Sequence, residues 1–419
     1  MPGFKRNSRS RRRELVKITP KNIKIVVGIF TAIILISLII LFWRNNQTNN
    51  EKIIKTQQIE NQISEVFDKE ALNDIEIEKK APKDKILNIV ALGNISYNHE
   101  LYEGLFDNQK GTYLFLDFLS KVSKFTEVSD YTIASLGANI TADYKIENGK
   151  TNAPEDLGLA IKNAGINLLF TASRNSNDDG QTGIEKTLEE LDKLKLEHVG
   201  TARAKIEQQT PVIKEILGIK LGFLSYTENL NKKINEEYMI NRISKTKIVE
   251  DISKIKEKGA EFVIVSLDMG KSGDLTQNQK ELIKHLINND ANVILCYNDS
   301  GIVGKIEMVQ NEEGQDRCIA YNMGNFIGKN ESEDSKFEIA LDIEITKSIE
   351  DNITRITKVN YSPMYLLDRG ENNNERYLLL DIKQEISRYE SNVTSNLTDE
   401  EYKKAIEGLE KLDKRIMGE

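Results

Sequence analysis

Histidine and cysteine are scarce in this chain, with three and two copies in 419 residues, and each shortage narrows the chemistry available to it. His198 and His285 fall on helix-to-strand and helix positions, and His99, in SYNHELYEG, reads as a solvent-exposed loop residue, so no imidazole is assigned a chemical role. Cys296 and Cys318 lie in short apolar stretches, NVILCY and RCIAYN, and are expected to be two buried thiols, a disulfide between neighbouring strands being the alternative. No Gly-x-Ser-x-Gly elbow is present, and no serine has an evident general base, which removes the usual serine-hydrolase layout. Nor is there an internal repeat.

Net positive charge is confined to the N-terminus. Residues 1–24 hold nine Lys or Arg against one acid, so that head is +8 and the remainder of a chain of net charge −8 carries −16. A surface so acidic repels nucleic acid, whose binding depends on neutralising phosphates; no nucleic-acid partner is expected.

After the basic head comes Ile25 to Trp43, IVVGIFTAIILISLIILFW, without a charged residue. Nineteen residues at the helical rise cross a hydrocarbon core, and Trp43 sits where an interfacial aromatic would. The charge asymmetry places the N-terminus in the cytoplasm and the main domain outside. No small-x-small cleavage site follows, so the segment is expected to remain as a single-pass anchor in the cell membrane rather than a cleaved signal.

Residues 44–84 are polar and read as a stalk. From residue 85 to 367, β-branched runs alternate with amphipathic segments, the pattern of an α/β domain. VIKEIL and KLGFLSYT, joined at Gly218, read as a hairpin, which makes the sheet mixed. Helices are expected at Tyr113 to Phe125, Glu155 to Asn163, Ile184 to Leu194, Thr246 to Lys258 and Asn278 to Asn288. Residues 368–419 read as a helical extension, running from Tyr377 into two helices, with Thr398 capping the last. Several strands end in small, polar loops, and in open α/β sheets the functional crevice lies beyond the carboxyl ends of the strands.

The order and context of these loops resemble the CapA family of poly-gamma-glutamate capsule synthesis proteins. IVALGNIS stands for a strand ending in Gly-Asp, with Asn94 for the acid. DYTIASLGAN keeps Asp130 and Leu136 but has Ser135 for Asn and Gly137 for Glu. ASRNSNDDGQTG keeps Ala172, Asp178, Gly180 and Gly183, with Arg174 for Asn and Asn175 for His. FVIVSLDMG puts Asp268 in place of a His, and CYNDS puts Tyr297, Asn298 and Ser300 in place of three more. YNMGNFIG retains Tyr321, Gly324, Asn325 and Phe326, for which a structural role is expected. The resemblance implies a calcineurin-like metallophosphatase-type fold: an α/β mixed-sheet sandwich flanked by helices, here preceded by a single transmembrane helix.

A two-metal hydrolase needs carboxylates and imidazoles, and these substitutions are mostly neutral. No catalytic residue, metal ligand or cofactor is therefore assigned. Asp178, Asp179, Asp268 and Asp299 offer oxygens to a hard cation, but a solvated cluster is the favoured reading. The amide-rich set suggests instead a binding crevice formed by Asn94, Asn139, Arg174, Asn175, Asp178, Asp268, Asn298, Asp299 and Asn325. The expected partners are a surface polymer or its precursor, the membrane, and other capsule-synthesis membrane proteins. The expected role is non-catalytic, in polymer synthesis, export or attachment. The alternatives are a divergent metal-dependent hydrolase or transferase acting on an envelope polymer, and an envelope scaffold.

Overall fold

The computed structural model describes residues 83–142, 152–270, 273–328, 332–371, 373 and 375–419. The basic head, the apolar run 25–43 and the stalk up to residue 82 lie outside the described residues, among which no helix is long and apolar enough to cross a membrane.

The main elements are strand β1 (Lys85–Ser96), helix α1 (His99–Gly104), β2 (Tyr131–Gly137), α2 (Glu155–Asn163), β3 (Leu168–Phe170), α3 (Gly180–Lys193), β4 (Glu197–Val199), β5 (Val212–Ile216), β6 (Ile219–Thr227), α4 (Lys245–Glu257), β7 (Phe262–Asp268), α5 (Gln277–Ile287), β8 (Val293–Tyr297), β9 (Ile306–Gln310), β10 (Asp316–Ala320), β11 (Phe337–Lys347), β12 (Thr354–Asp368), β13 (Tyr377–Asp381), α6 (Ile382–Glu390) and α7 (Asp399–Met417). One sheet runs β13-β12-β11-β1-β2-β3-β4 and the other β9-β10-β8-β7-β6-β5. Strands β1 to β4 are mutually parallel, as are β6, β7, β8 and β10, while the remaining pairs are antiparallel.

Period-two alternation along each strand builds the layers. Leu87, Ile89 and Ala91 of β1 join Ile133, Phe170, Phe223, Ile264 and Leu295 in one core between the sheets. Val90 and Leu92, on the other face, pack under α2 and α3 with Leu157, Ile161, Ile184 and Leu188. Beyond the second sheet, Ile248, Ile252 and Ile255 of α4 and Leu286 of α5 close a third core. Each fully buried Leu or Ile contributes roughly 1.5–3 kcal/mol. The described residues thus form a mixed α/β sandwich with flanking helices.

The helix expectations at 155–163, 184–194, 246–258 and 278–288 correspond to α2, α3, α4 and α5, with ends shifted by at most a few residues. The stretch 113–125 forms short helical turns, Phe115–Leu119 and Ser123–Thr126, joined by a 3-10 turn. The expected hairpin is β5 and β6, whose two-residue turn puts Leu217 at φ 50° and Gly218 at φ 77°, the doubly left-handed geometry of a type I′ connection.

Tyr377–Asp381 is not the start of a helix. It pairs antiparallel with the end of β12, because Tyr377, Leu379 and Leu380 find buried seats there that solvent would deny them. The helices that follow also enter the core: Ile382, Ile386, Ala405, Leu412 and Ile416 belong to the between-sheet cluster. Thr398 caps α7 reciprocally with Glu401. Cys296 and Cys318 are free, buried thiols on opposite faces of the second sheet, one under α5 and one between the sheets, so adjacent strands do not bring them together.

Strand β1 contains a bulge. Ala91 is level with Ile133 but Asn94 is level with Ser135, so one extra residue is accommodated around Leu92 and Gly93. The bulge switches the alternation: Ile95 joins Leu92 on the helix side, and Asn94 and Ser96 turn to the side between the sheets. Gly93 itself lies against backbone, where an added Cβ would come within 2.8 Å of Phe326 N and 2.9 Å of Gly324 O and Met323 O. Gly93→Ala is accordingly expected to cost about 1–3 kcal/mol in urea denaturation, with the backbone having to give way to the new methyl.

Candidate functional site

At the carboxyl ends of the parallel strands the two sheets leave a crevice of about 380 Å³, lined by Asn94, Ser96, Tyr97, Ser135, Ser173, Arg174, Asn175, Asp268, Tyr297, Asn298, Asp299 and Asn325. Of the residues expected there, Asn94, Arg174, Asn175, Asp268, Asn298, Asp299 and Asn325 are brought together. Asn139 and Asp178 are not. Asn139 is buried behind the third loop, donating to Ser176 O at 2.9 Å and accepting from Asp179 N at 3.2 Å. Asp178 turns away from the crevice to accept from Asn231 Nδ2 at 3.0 Å. Both serve the shape of the loop after β3.

The floor is stitched by backbone. Asn94 N donates to Gly324 O at 2.9 Å, and Ile327 N donates to Asn94 O at 3.0 Å, joining the end of β1 to the loop after β10. The side chain of Asn94 lies over Gly137, where a Cβ would come within 2.8 Å of its amide nitrogen. An amide at 94 and a bare backbone at 137 therefore go together. Asn94 Oδ1 is buried and accepts no hydrogen bond from the described residues, which leaves one acceptor available in the floor.

Asp268 ties three loops. Its Oδ2 accepts from Arg174 N at 2.6 Å and Thr227 Oγ1 at 3.3 Å, and its Oδ1 accepts from Gly270 N at 2.9 Å. Burial raises its pKa against the opposing pull of these donors. Arg174 pairs through its guanidinium with Asp299 and donates from Nε to Asn231 Oδ1 at 2.9 Å. Asn231 in turn donates to Asn175 Oδ1 at 2.9 Å, and Asn175 donates to Gly137 O at 3.1 Å. Asn298 Oδ1 accepts from Ser300 N, Ser300 Oγ and Asn322 Nδ2 at 3.0, 2.6 and 2.8 Å, which holds that loop in shape. Asn231 was missed in the sequence, although it too lies in a loop beyond a strand's carboxyl end, where the same rule applies.

The donor set does not fit a two-metal centre. Its oxygens come chiefly from neutral amides and hydroxyls, both oxygens of Asp268 are taken by N–H and O–H donors, and Asp299 is engaged by the Arg174 guanidinium. Among the described residues, no group of three or more His, Cys, Asp or Glu side chains is placed to hold a metal ion. What the arrangement offers is a concave surface of amide donors and acceptors around one ion pair.

Beneath the Asn325 loop lies a buried acid that the sequence did not reveal. Glu338 Oε1 accepts from Asn325 N at 3.1 Å, while its Oε2, like Nε and Nη2 of Arg415 on α7, is buried without a hydrogen bond among the described residues. Burial raises the Glu338 pKa well above its usual value, outweighing the hydrogen bond and the nearby Arg415 charge.

Fold and site together define the class: an α/β sandwich protein with a polar crevice across the carboxyl ends of its parallel strands. Within that class, the model of the bacterial capsule synthesis protein PGA_cap family matches residues 88–330, and the chain belongs to that family. Capsule biosynthesis protein CapA of Bacillus anthracis is 21% identical over 269 residues, covering 59% of this chain and 61% of that protein. The chain thus spans less than two thirds of its relative's length. Among solved structures, it is similar to a 5'-nucleotidase precursor from Thermus thermophilus (10% identity, TM-score 0.42, 78% of this chain and 58% of that one). It is likewise similar to a phosphatase from Mycoplasma pneumoniae (11% identity, TM-score 0.42, 67% of this chain and 94% of that one).

Two outcomes follow from the site. Asp268→Ala, which strips the acceptor from two backbone N–H groups, is expected to lower stability by about 3 kcal/mol in chemical denaturation. Glu338 contributes stability that is fully present below its unfolded-state value near 4.5 and is lost as pH rises through its raised native value, because the native state keeps a proton that the unfolded chain releases. Stability of Glu338→Gln, measured by urea titration across a pH series, should fall less steeply above pH 4.5 than that of the wild type.

Proposed function

We propose that this protein is a membrane-anchored subunit in the synthesis, export or attachment of a bacterial surface polymer, and that its crevice binds without hydrolysing. Membership of the capsule synthesis family supports the process, and the apolar run at 25–43 with its basic head supports the anchor. The single observation that carries the non-hydrolytic reading is the state of Asp268. The one charged residue standing at a resembled ligand position has both carboxylate oxygens engaged by loop donors, beside the Arg174–Asp299 pair. In this reading the metallophosphatase-type fold is retained as a scaffold for polar recognition: amides and hydroxyls pair with the neutral or zwitterionic units of a polymer or its precursor.

The divergent hydrolase makes a different demand. It needs stoichiometric metal in the purified full-length protein, lost on Asp268→Ala; the binding reading expects sub-stoichiometric metal in both, measured by elemental analysis. The scaffold alternative is separated in cells. Deletion is expected to abolish surface polymer, and complementation with the Asn175→Ala, Asn298→Ala double variant is expected to leave most of the loss unrepaired. Full restoration by that variant would favour the scaffold.

A further inference from the structure

Next to the crevice lies a larger cleft that none of the expected site residues lines. It has a volume of about 1070 Å³ and is bounded by the short helix Lys205–Gln209, the loop that follows β6, and the first turn of α4. Its charge runs against that of the domain. Lys205, Lys232, Lys233, Arg242 and Lys247 line it against two acids, Glu236 and Glu237, in a chain whose residues beyond the basic head sum to −16.

Among the described residues, most of these cations have no carboxylate partner. Lys247 pairs with Asp251, but the Lys232 ammonium donates to the backbone carbonyl of Asp178, and Arg242 donates to Glu228 O at 2.6 Å. Lys205 and Lys233 form no ion pair among the described residues. The first turn of α4 adds to the effect, since it holds Lys245 and Lys247 and no acid, the reverse of what the helix dipole favours. Between the cations stand Gln208, Asn229, Asn231, Asn235 and Asn241, which pair with amide groups in either sense.

The geometry points to this cleft as a binding site for an extended polymer that carries both carboxylates and amides, the cations meeting the carboxylates and the Asn and Gln side chains the amide links. Asn231 lines the cleft and also bonds Arg174 and Asn175, so the bound chain lies alongside the crevice. An acidic domain thereby holds a polyanion by a local inversion of its field. In naming the polymer class, this site rests on the assembly role proposed above; as a binding surface it is tested without it.

The test is fluorescence anisotropy on the full-length protein in detergent, using labelled poly-gamma-glutamate oligomers, with polyphosphate of matched charge and neutral dextran as competitors. Binding of the polyglutamate is expected to weaken as salt rises. The triple variant Lys205→Gln, Lys233→Gln, Arg242→Gln should bind about tenfold more weakly, and Glu236→Gln, Glu237→Gln about threefold more tightly. Unchanged affinity in the triple variant overturns the site. Competition by dextran overturns the role of charge, and stronger competition by polyphosphate than by unlabelled polyglutamate overturns the polymer class. Because the assay reads binding by purified protein and not polymer yield in cells, the cleft can fail while the assembly reading stands, and the reverse.

Discussion

Everything at the mouth of the sandwich depends on two stretches of backbone approaching closer than any side chain would permit. Gly93 meets the carbonyls of Met323 and Gly324, and the chain on either side of this contact is hydrogen bonded across it. Strand β1 sits at the middle of one sheet, and the 323–327 segment leaves the last parallel strand of the other, so the contact locks the two walls of the crevice at a fixed separation. The bulge beside Gly93 then decides which residues face the gap. Had the alternation continued unbroken, Asn94 would lie with Leu92 among the helices. Gly93 and the Tyr-Asn-Met-Gly-Asn-Phe motif, some 230 residues apart, are thus two halves of one joint.

Much of this was legible in the sequence because it arises from local physics. The period-two runs, the amphipathic helices α2 to α5, the hairpin at Gly218 and the cap at Thr398 depend on neighbours within a few positions. The loops of the crevice were placed by a topological rule rather than by contacts. What could not be read depends on partners distant in the chain. Asn139 and Asp178 look like Asn94 and Asn175 in composition, and only the packing of the loop after β3 turns them away. Glu338 sits in a strand whose alternation hides a buried carboxyl, and Tyr377 begins a strand only because the end of β12 is there to pair with it.

Charge is organised at three depths. The surface is acidic, the crevice holds a single guanidinium balanced by Asp299, and the interior holds Glu338 near Arg415. In a medium that solvates charge poorly, burial favours the protonated, uncharged form of Glu338, while Arg415 pairs with Asp334. With its one guanidinium paired to Asp299, the crevice presents polar groups rather than a net positive field. The same loop network that places Arg174 places Asn231, so recognition in the crevice and the shape of the surface beside it are mechanically joined.

The strand order carries a consequence for how the chain assembles during synthesis. β1 is made first among the described strands, and β2 can pair with it early, but its other neighbour, β11, is about 250 residues further on, and the helix that seals the core beside β11 comes later still. Until then β1 presents a long apolar edge with open hydrogen-bonding groups, a template for pairing with the wrong strand. Vectorial emergence of the chain therefore leaves the domain half-closed until its last strands and helices arrive, and its yield depends on whatever shields that edge in the meantime.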